Sequence, residues 1–177
     1  MKRVTVAVLG LALAALPAAA QSAPTGVRGD LIAQFDAAAN KLVQLAEAIP
    51  QDKYAWRPGA GVRSVSEVLV HVTNGNFYFP TLVGAQGASP LPRDAEKSVT
   101  AKPQIVDYLK RSCEHVRGAI RNLSDADLDK PATMFGQSTT YRNVLLTVVS
   151  HNHEHLGQAI AYARANGVVP PWSGGGN

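Results

Sequence analysis

The chain has 177 residues, of which 46% are hydrophobic and 17% charged, and its formal net charge is +4. This length suits one domain with its own hydrophobic core. The basic residues form no run or stripe, which argues against nucleic-acid binding. Cys113 is the only cysteine, which excludes an internal disulfide and cysteine-based zinc knuckles or ribbons.

The first 20 residues have the pattern of a secretory signal peptide. Lys2 and Arg3 precede an apolar run over residues 4–16, and three alanines at 18–20 form a small-residue cleavage site. The run is too short to span a membrane, and no other stretch of the sequence is long and apolar enough. We expect cleavage near Ala20, a mature net charge of +2 and an exported protein, periplasmic or secreted.

The first helix is predicted over residues 30–48. Its apolar residues recur at helical spacing and are Leu31, Phe35, Ala38, Leu42 and Leu45. Asp30 is a suitable N-cap, and Pro50 is expected to end the helix. Residues 21–29, between the signal peptide and this helix, are predicted to be flexible.

The second helix is predicted to begin at Ser64 or Ser66 and to end near Leu82. Ser64 and Glu67 have the spacing of a capping box, in which each side chain satisfies a backbone N–H of the other. One apolar stripe of this helix also carries a histidine, and it consists of Val68, His71, Val72, Gly75 and Phe79. His71 is therefore expected to face the protein interior.

Two further helices are predicted over residues 103–123 and from Thr139 or Thr140 to about residue 166. The connections before them, 84–102 and 124–136, contain glycine and proline, and the first is expected to close over one end of the helices. No segment has the alternation of a strand. Residues 30–172 are thus predicted to form an all-α four-helix bundle, followed by a disordered tail at 173–177.

Three histidines form the candidate metal site. His151 and His155 are four residues apart in the last helix and therefore share one face. His71 lies on the inward stripe of the second helix. A single inward histidine is usually a structural residue, but imidazoles at one level of a core need partners for their nitrogens. Three neutral imidazoles from two helices are typical of a metal site with an open coordination position.

The other histidines and the cysteine have weaker claims. His153 lies two residues from each member of the pair and is predicted to point to solvent. Cys113 and His115 are close in sequence but do not share a helical face, which favours structural roles for both.

Three polar residues are candidates to support the metal site. Glu67 lies one turn before His71, where it could accept the second ring N–H of that histidine, although a capping-box role is an equal alternative. Asn74 and Gln158 lie about one turn beyond a histidine and are candidates to orient water, with ordinary interhelical hydrogen bonding as the alternative. No residue stands out as a general base.

Several motifs occur in an order that resembles the DinB/YfiT-like superfamily. They are Ile49-Pro50, Tyr54-x-Trp56-Arg57-Pro58, Ser64-Val65-x-Glu67 followed by His71, His151-x-x-x-His155-x-Gly157-Gln158, and Tyr162-x-Arg164-x-x-Gly167-x-x-Pro170-Pro171. The resemblance covers most of the chain after residue 20. It implies a four-helix bundle in which the matching His71, His151 and His155 bind a divalent metal such as zinc, nickel or iron. Some relatives are thiol-dependent transferases or isomerases.

Together these features predict an exported metal-dependent hydrolase or group (thiol) transferase that acts on a small molecule. The alternatives are a non-catalytic metal-binding or stress-response bundle, and a bundle used only for association. The sequence leaves open whether the protein is a homodimer. Trp56 and Arg57 are candidates for the mouth of the site, with Trp56 as a plug of the bundle end as the alternative.

Overall fold

Four long helices dominate the computed structural model, which describes residues 24–174 except 88 and 90. These helices are α1 (Gly26–Ala48), α2 (Val65–Thr81), α4 (Lys102–Asn122) and α5 (Tyr141–Ala165), and a short helix α3 (Ala95–Ser98) precedes α4. The predicted signal peptide and residues 175–177 lie outside the described residues. None of the helices in the described part of the chain is both long and apolar enough to cross a membrane.

The helix starts agree with the capping signals at α2 and α5 but not at α1. Ser64 caps α2 in a capping box with Glu67, and the Thr140 side chain accepts from the backbone N–H of Asn143 at the start of α5. The N-cap of α1 is Thr25, so the prediction that Asp30 caps this helix was wrong, and residues 26–29, predicted to be flexible, are helical.

A contact with a distant loop explains the early start of α1. The Arg28 guanidinium donates to the carboxylate of Asp125, with a distance of 2.6 Å from Nε to Oδ1, and to the carbonyl oxygen of Leu123. These partners lie just beyond α4, about a hundred residues away in sequence. The first turn is therefore stabilised by tertiary contacts that local sequence patterns do not contain.

The helix arrangement places α2 beside α5. Helices α1 and α2 each pack against both α4 and α5. The largest fully buried side chains of the core include Phe35, Leu42, Leu45, Leu69, Ile105, Leu109, Ile120 and Leu145. This apolar core confirms the predicted four-helix bundle. Because α2 and α5 are neighbours, His71 comes close to the histidine pair of α5.

The polar connection before α5 contains a small β-hairpin that the sequence analysis did not predict. Strands β1 (Pro131–Met134) and β2 (Gln137–Thr140) pair antiparallel through a two-residue turn at Phe135 and Gly136. The expectation of no strand was wrong because each strand has only four residues and β2 contains no apolar residue. In β1 only Ala132 and Met134 pack against the core, which is too short an alternation to be recognised as a half-buried strand.

The connection between α2 and α4 folds back over the start of α2. Its helix α3 packs against α2, and Ala95 and Val99 are buried in the core. The Arg63 guanidinium, just before α2, donates to the Glu96 carboxylate at 2.8 Å. This connection therefore brings an acidic residue to the bundle end where His71 lies.

Candidate metal centre

His71, His151 and His155 come together between α2 and α5. Each offers one ring nitrogen, and these three atoms all lie within 4.8 Å of one another. The Nε2 atoms of His71 and His151 are 3.2 Å apart. Two nitrogens bound to one tetrahedral zinc at about 2.0–2.1 Å would lie roughly 3.3 Å apart. The observed separation therefore fits two ligands of one metal ion.

Gly75 provides the space that His151 needs. A Cβ atom at position 75 would lie 2.7 Å from Cε1 and 3.0 Å from Nδ1 of His151. Contacts under 3.0 Å require one of the groups to move, and here both belong to packed helices. Gly75 was predicted to lie on the inward stripe of the second helix, but its role depends on how closely α5 approaches α2.

Hydrogen bonds from outside the centre orient two of the imidazoles. His71 Nδ1 lies 2.9 Å from Glu96 Oε1, and His155 Nδ1 lies 2.8 Å from Gln158 Oε1. Both oxygens accept, so each Nδ1 carries the proton and each Nε2 keeps a lone pair. Gln158 is itself held in place by donating to the Tyr162 hydroxyl at 3.0 Å. This pattern is common for metal-binding histidines, whose second nitrogen bonds to a fixed oxygen.

Among the residues that the structure describes, no hydrogen-bond arrangement satisfies both nitrogens of His151. Its Nδ1 is buried and has no partner among the described residues, while its Nε2 faces the Nε2 of His71. If the proton of His151 is on Nε2, then Nδ1 is a buried acceptor without a donor. If the proton is on Nδ1, then that buried N–H has no acceptor, and the lone pairs on the Nε2 atoms of His151 and His71 face each other. A cation between the Nε2 atoms removes the second conflict, so the donor set fits a metal ion.

Burial keeps two of the histidines neutral. It is the main cause that lowers the pKa of His151 to about 4, with contributions from the nearby His155, His71 and Arg63. Burial also lowers the pKa of His71, against the opposing effect of its hydrogen bond to Glu96. Metal ligation requires neutral imidazole, so these two rings are in the ligating state at neutral pH.

Glu96, not Glu67, is the carboxylate that contacts His71. Glu67 instead accepts from the Ser64 backbone N–H at 2.7 Å and from Arg57 at 3.0 Å. The hydrogen bond from the Ser64 backbone is the main cause that lowers the pKa of Glu67, and the contact with Arg57 lowers it further. Of the two roles left open for Glu67, the structure has the capping box with Ser64, and Glu67 makes no hydrogen bond to His71. Glu96 was missed because it lies in a connection without periodicity, 25 residues from His71.

The two predicted water-orienting residues have different surroundings. Gln158 contacts the centre, but through the ring of His155. Asn74 is half-buried, and its side chain has no hydrogen bond within the described part of the chain. The buried asparagine of α2 is Asn76, which bonds to Asn152 of α5 at 2.7 Å.

The remaining candidates lie away from the centre. His153 is exposed, and its Nε2 lies 2.9 Å from the Gln34 carbonyl oxygen, so it points away as predicted.

Burial raises the pKa of the Cys113 thiol to about 12, which leaves it unreactive as a nucleophile. His115 packs beside Phe77 with ring centroids 5.4 Å apart. The ring of Trp56 packs edge-on against Tyr162 at 5.2 Å, and it is one of the partly buried side chains that pack against the core.

A cleft of about 580 Å³ opens beside the centre. Its polar lining comprises Arg57, Arg63, Glu67, Glu96, Lys97 and Gln158. Two of these residues, Glu96 and Gln158, are the ones that hydrogen-bond to the histidine rings. The cleft therefore adjoins the outer side of the rings of His71 and His155.

Comparison with known sequences connects this geometry to a family. The family model of the DinB superfamily matches residues 34–159, a range that includes all three histidines. The chain is also similar to YjoA of Bacillus subtilis, an uncharacterized protein. The two are 24% identical over 140 residues, which cover 77% of this chain and 89% of YjoA.

Solved structures share the fold. A DinB-like protein from Bacillus cereus superimposes with a TM-score of 0.70 at 16% identity, over 82% of this chain and 95% of its own. YjoA superimposes with a TM-score of 0.64 at 21% identity, over 79% of this chain and 93% of the YjoA chain. YfiT from Bacillus subtilis superimposes with a TM-score of 0.64 at 15% identity, over 80% of this chain and 89% of the YfiT chain. YfiT is described as a probable metal-dependent hydrolase with an unusual four-helix bundle topology. With its family match extending over more than half of the sequence, the chain belongs to the DinB superfamily.

Proposed function

We propose that the protein is a metal-dependent hydrolase or group transferase, with a thiol as one acceptable co-substrate, and that it acts on a small molecule. The observation that carries this proposal is a cluster of three histidines and no fourth ligating residue within the described part of the chain. A zinc ion that only stabilises a fold usually has four protein ligands. A site with three leaves one position for water or substrate.

The nearest carboxylate is already engaged and does not complete the shell. Glu96 bonds to His71 through Oε1 at 2.9 Å and to Arg63 through Oε2 at 2.8 Å. Both oxygens are thus occupied on the outer side of the ring, and Oε1 keeps the His71 proton on Nδ1. Glu96 therefore positions a ligand and leaves the inner side of the centre to the three Nε2 atoms.

The chain supplies orientation and a suitable environment. Glu96 and Gln158 set the ring positions of His71 and His155, and Gly75 leaves room for His151. When bound, a divalent metal such as zinc, nickel or iron would supply a Lewis acid and lower the pKa of a bound water or thiol. The neighbouring cleft, lined by Arg57, Arg63 and Lys97 among others, gives room for a small substrate.

We also propose that this activity operates outside the cytoplasm. The support is the basic, apolar and small-residue pattern of residues 1–20. Expression of the full chain in a bacterial host, with fractionation and N-terminal sequencing, tests this part. We expect an exported protein that begins after Ala20. A cytoplasmic protein that retains its first 20 residues would contradict it.

The activity is tested on exported protein purified without a histidine tag. We expect about one divalent metal ion per chain by elemental analysis, the number that one three-histidine site binds. Esters, lactones and thiol-plus-electrophile pairs are then assayed before and after chelation, with His153→Ala as the matched control. Turnover that is lost on chelation and restored by metal supports the proposal. Bound metal without turnover would identify a binding protein, and absence of metal would identify an association bundle.

A further inference from the structure

The acidic side chains of the cleft beside the metal centre are fully engaged by the protein itself. The two carboxylates of the cleft are Glu67 and Glu96. One oxygen of Glu67 accepts from Arg57 and the other accepts from a backbone N–H. The oxygens of Glu96 are bonded to His71 and Arg63. All four carboxylate oxygens therefore already have a donor.

The basic side chains of the cleft, in contrast, have more donors than they use. A guanidinium carries five N–H donors and an ammonium three. Arg63 bonds to Glu96 through Nε alone, and its terminal nitrogens have no partner within the described part of the chain. Lys97 is exposed and forms no ion pair with a described residue. The three basic and two acidic side chains also give the lining a formal net charge of +1.

This imbalance suits an anionic ligand. Guanidinium groups bind carboxylates and phosphates through paired N–H donors, and such charge-assisted hydrogen bonds are about twice as strong as neutral ones. A cation would meet a positive lining in which each carboxylate oxygen already has a partner. The cleft volume of about 580 Å³ lies in the range of small-molecule sites. The cleft is therefore suited to a small molecule with a negative charge.

Glu96 connects the cleft to the metal centre. One of its oxygens lies 2.8 Å from Nε of Arg63, and the other lies 2.9 Å from Nδ1 of His71. Burial is the main cause that lowers the pKa of His71 and of His151, and the positive charge of Arg63 contributes to both. A charge that disfavours a protonated ring also disfavours a metal dication at that ring. An anion bound to Arg63 would offset this repulsion.

We propose that the cleft binds the anionic group of a small molecule, a carboxylate, phosphate or sulfate, and that the bound anion strengthens metal binding by the three histidines. Coupling between two sites is reciprocal, so the metal also strengthens anion binding by the same factor. This inference goes beyond the proposed function, because it concerns two affinities and requires no turnover.

Titration calorimetry with sulfate tests the anion site in the full exported protein after chelation of its metal. Chloride keeps the ionic strength constant, because exposed charges are screened by salt. We expect Arg63→Gln to lower sulfate affinity about tenfold or more, the factor that one hydrogen bond to a charged group contributes. The introduced amide can still donate to Glu96. Lys97→Gln should lower sulfate affinity about two- to fivefold, as expected for an exposed charge, without an effect on melting temperature.

Arg142→Gln is the matched control for Arg63→Gln. The Arg142 side chain is 44% exposed and pairs with Asp129 at 2.6 Å, whereas that of Arg63 is 43% exposed and pairs with Glu96 at 2.8 Å. Arg142 lies in the first turn of α5, far along that helix from the cleft residue Gln158. Arg142→Gln should therefore bind sulfate as the wild type does.

Competition with a chelator, in sulfate and in chloride of equal ionic strength, measures the coupling. We expect the wild type and Arg142→Gln to bind zinc about fivefold more tightly in sulfate, at the lower end of typical couplings between sites. Arg63→Gln should show no such difference. Any complex of sulfate with free zinc affects all variants equally, so the comparison between variants isolates the contribution of the cleft.

The outcomes separate this inference from the proposed function. Sulfate binding to the metal-free protein that both Arg63→Gln and Lys97→Gln weaken supports the anion site, even if the activity assays find no turnover. Equal sulfate affinity in the wild type and both variants, or no saturable binding, would overturn the anion site. Sulfate binding that requires zinc would place the anion on the metal and overturn it as well. Equal zinc affinity of the wild type in sulfate and in chloride would overturn the coupling.

Discussion

Two groups of polar side chains lie where α2 packs against α5, and they differ in how completely their hydrogen bonds are satisfied. The first group is Asn76 of α2 and Asn152 of α5 with Ser112 of the neighbouring α4, and all three are fully buried. Asn152 donates to Asn76 at 2.7 Å and to the Val148 carbonyl at 2.8 Å. Asn76 donates to Ser112 at 3.2 Å, and Ser112 donates to the Leu109 carbonyl at 2.8 Å. This asparagine layer is closed within the protein.

The second group is the histidine layer, adjacent in sequence but not closed. His71 and His155 have their outer nitrogens bound to Glu96 and Gln158. Their inner nitrogens face a common point, together with Nε2 of His151. Nδ1 of His151 is buried and lacks a partner among residues 24–174 as far as these are described.

The difference shows how to distinguish structural from functional polar groups in one interface. A buried polar layer that satisfies itself specifies how two helices pack, and it needs nothing from outside. A layer whose lone pairs converge without a donor is costly unless a ligand completes it. The asparagine layer should therefore affect mainly stability, and the histidine layer should affect mainly metal binding.

The largest expected effect concerns the histidine layer. His155→Ala removes one of three ligands, so we expect metal affinity to fall by more than the roughly 10–100-fold that loss of an outer partner causes. Competition with a chelator measures the affinity. His153→Ala, on the exposed side of the same helix, should bind metal as the wild type does. Equal losses in the two variants would show that the ligating face is misassigned.

The asparagine layer should respond in stability alone. Asn152→Ala leaves Asn76 without its closest donor, and we expect the free energy of unfolding to fall by about 1–3 kcal/mol. Urea denaturation measures this loss. The metal affinity of the folded protein should not change. Replacement of both asparagines by leucine should recover part of the stability, because no partner is then left unpaired. A fall in metal affinity without a loss of stability would contradict the separation of the two layers.

Glu96 should matter for metal binding, and Glu67 should not. Glu96→Ala removes the oxygen that holds the proton on His71 Nδ1, and we expect metal affinity to fall about 10–100-fold. Glu96→Gln should restore part of it, because an amide oxygen still accepts this N–H. The matched control is Glu67→Ala, which should lower stability by about 1 kcal/mol through loss of the cap and leave affinity unchanged. A loss of metal affinity in Glu67→Ala but not in Glu96→Ala would show that Glu67, and not Glu96, supports His71.

Gly75 tests the close approach between α2 and His151. Gly75→Ala adds a Cβ atom 2.7 Å from His151 Cε1, so we expect a loss of about 1–3 kcal/mol in stability from overpacking and weaker metal binding. Gly118→Ala in α4 is the control, since a Cβ there meets nothing within 4 Å. That change should stabilise the helix by about 0.5–1 kcal/mol. A tolerated alanine at position 75 would show that the two helices are not in such close contact.

The smallest expected effect is on acid stability of the metal-free protein. The folded-state pKa of His151 is lowered to about 4 from an ordinary value of 6.5, mainly by burial. Below pH 6.5 the unfolded chain therefore binds more protons than the folded chain, so stability is lost as the pH falls towards 4. Melting temperatures between pH 7 and 5 should decrease, and they should decrease less in His151→Leu. An equal slope in both proteins would exclude His151 as the cause.

Local signals in the sequence determined the helices and most of the histidine layer. The capping box of Ser64 and Glu67 and the cap at Thr140 placed the starts of α2 and α5, because a cap depends on residues only three apart. The spacing of His151 and His155 put both rings on one face for the same reason. The inward stripe of the second helix then indicated His71 as their partner.

Only the tertiary structure decided the features that depend on distant segments. Glu96 reaches His71 because α3 folds back onto α2, and the role of Gly75 depends on how closely α5 approaches α2. The early start of α1 depends on the contact of Arg28 with Asp125. Periodicity and capping describe interactions between near neighbours in the chain, whereas these contacts depend on how the helices pack, and that packing is set by the core as a whole.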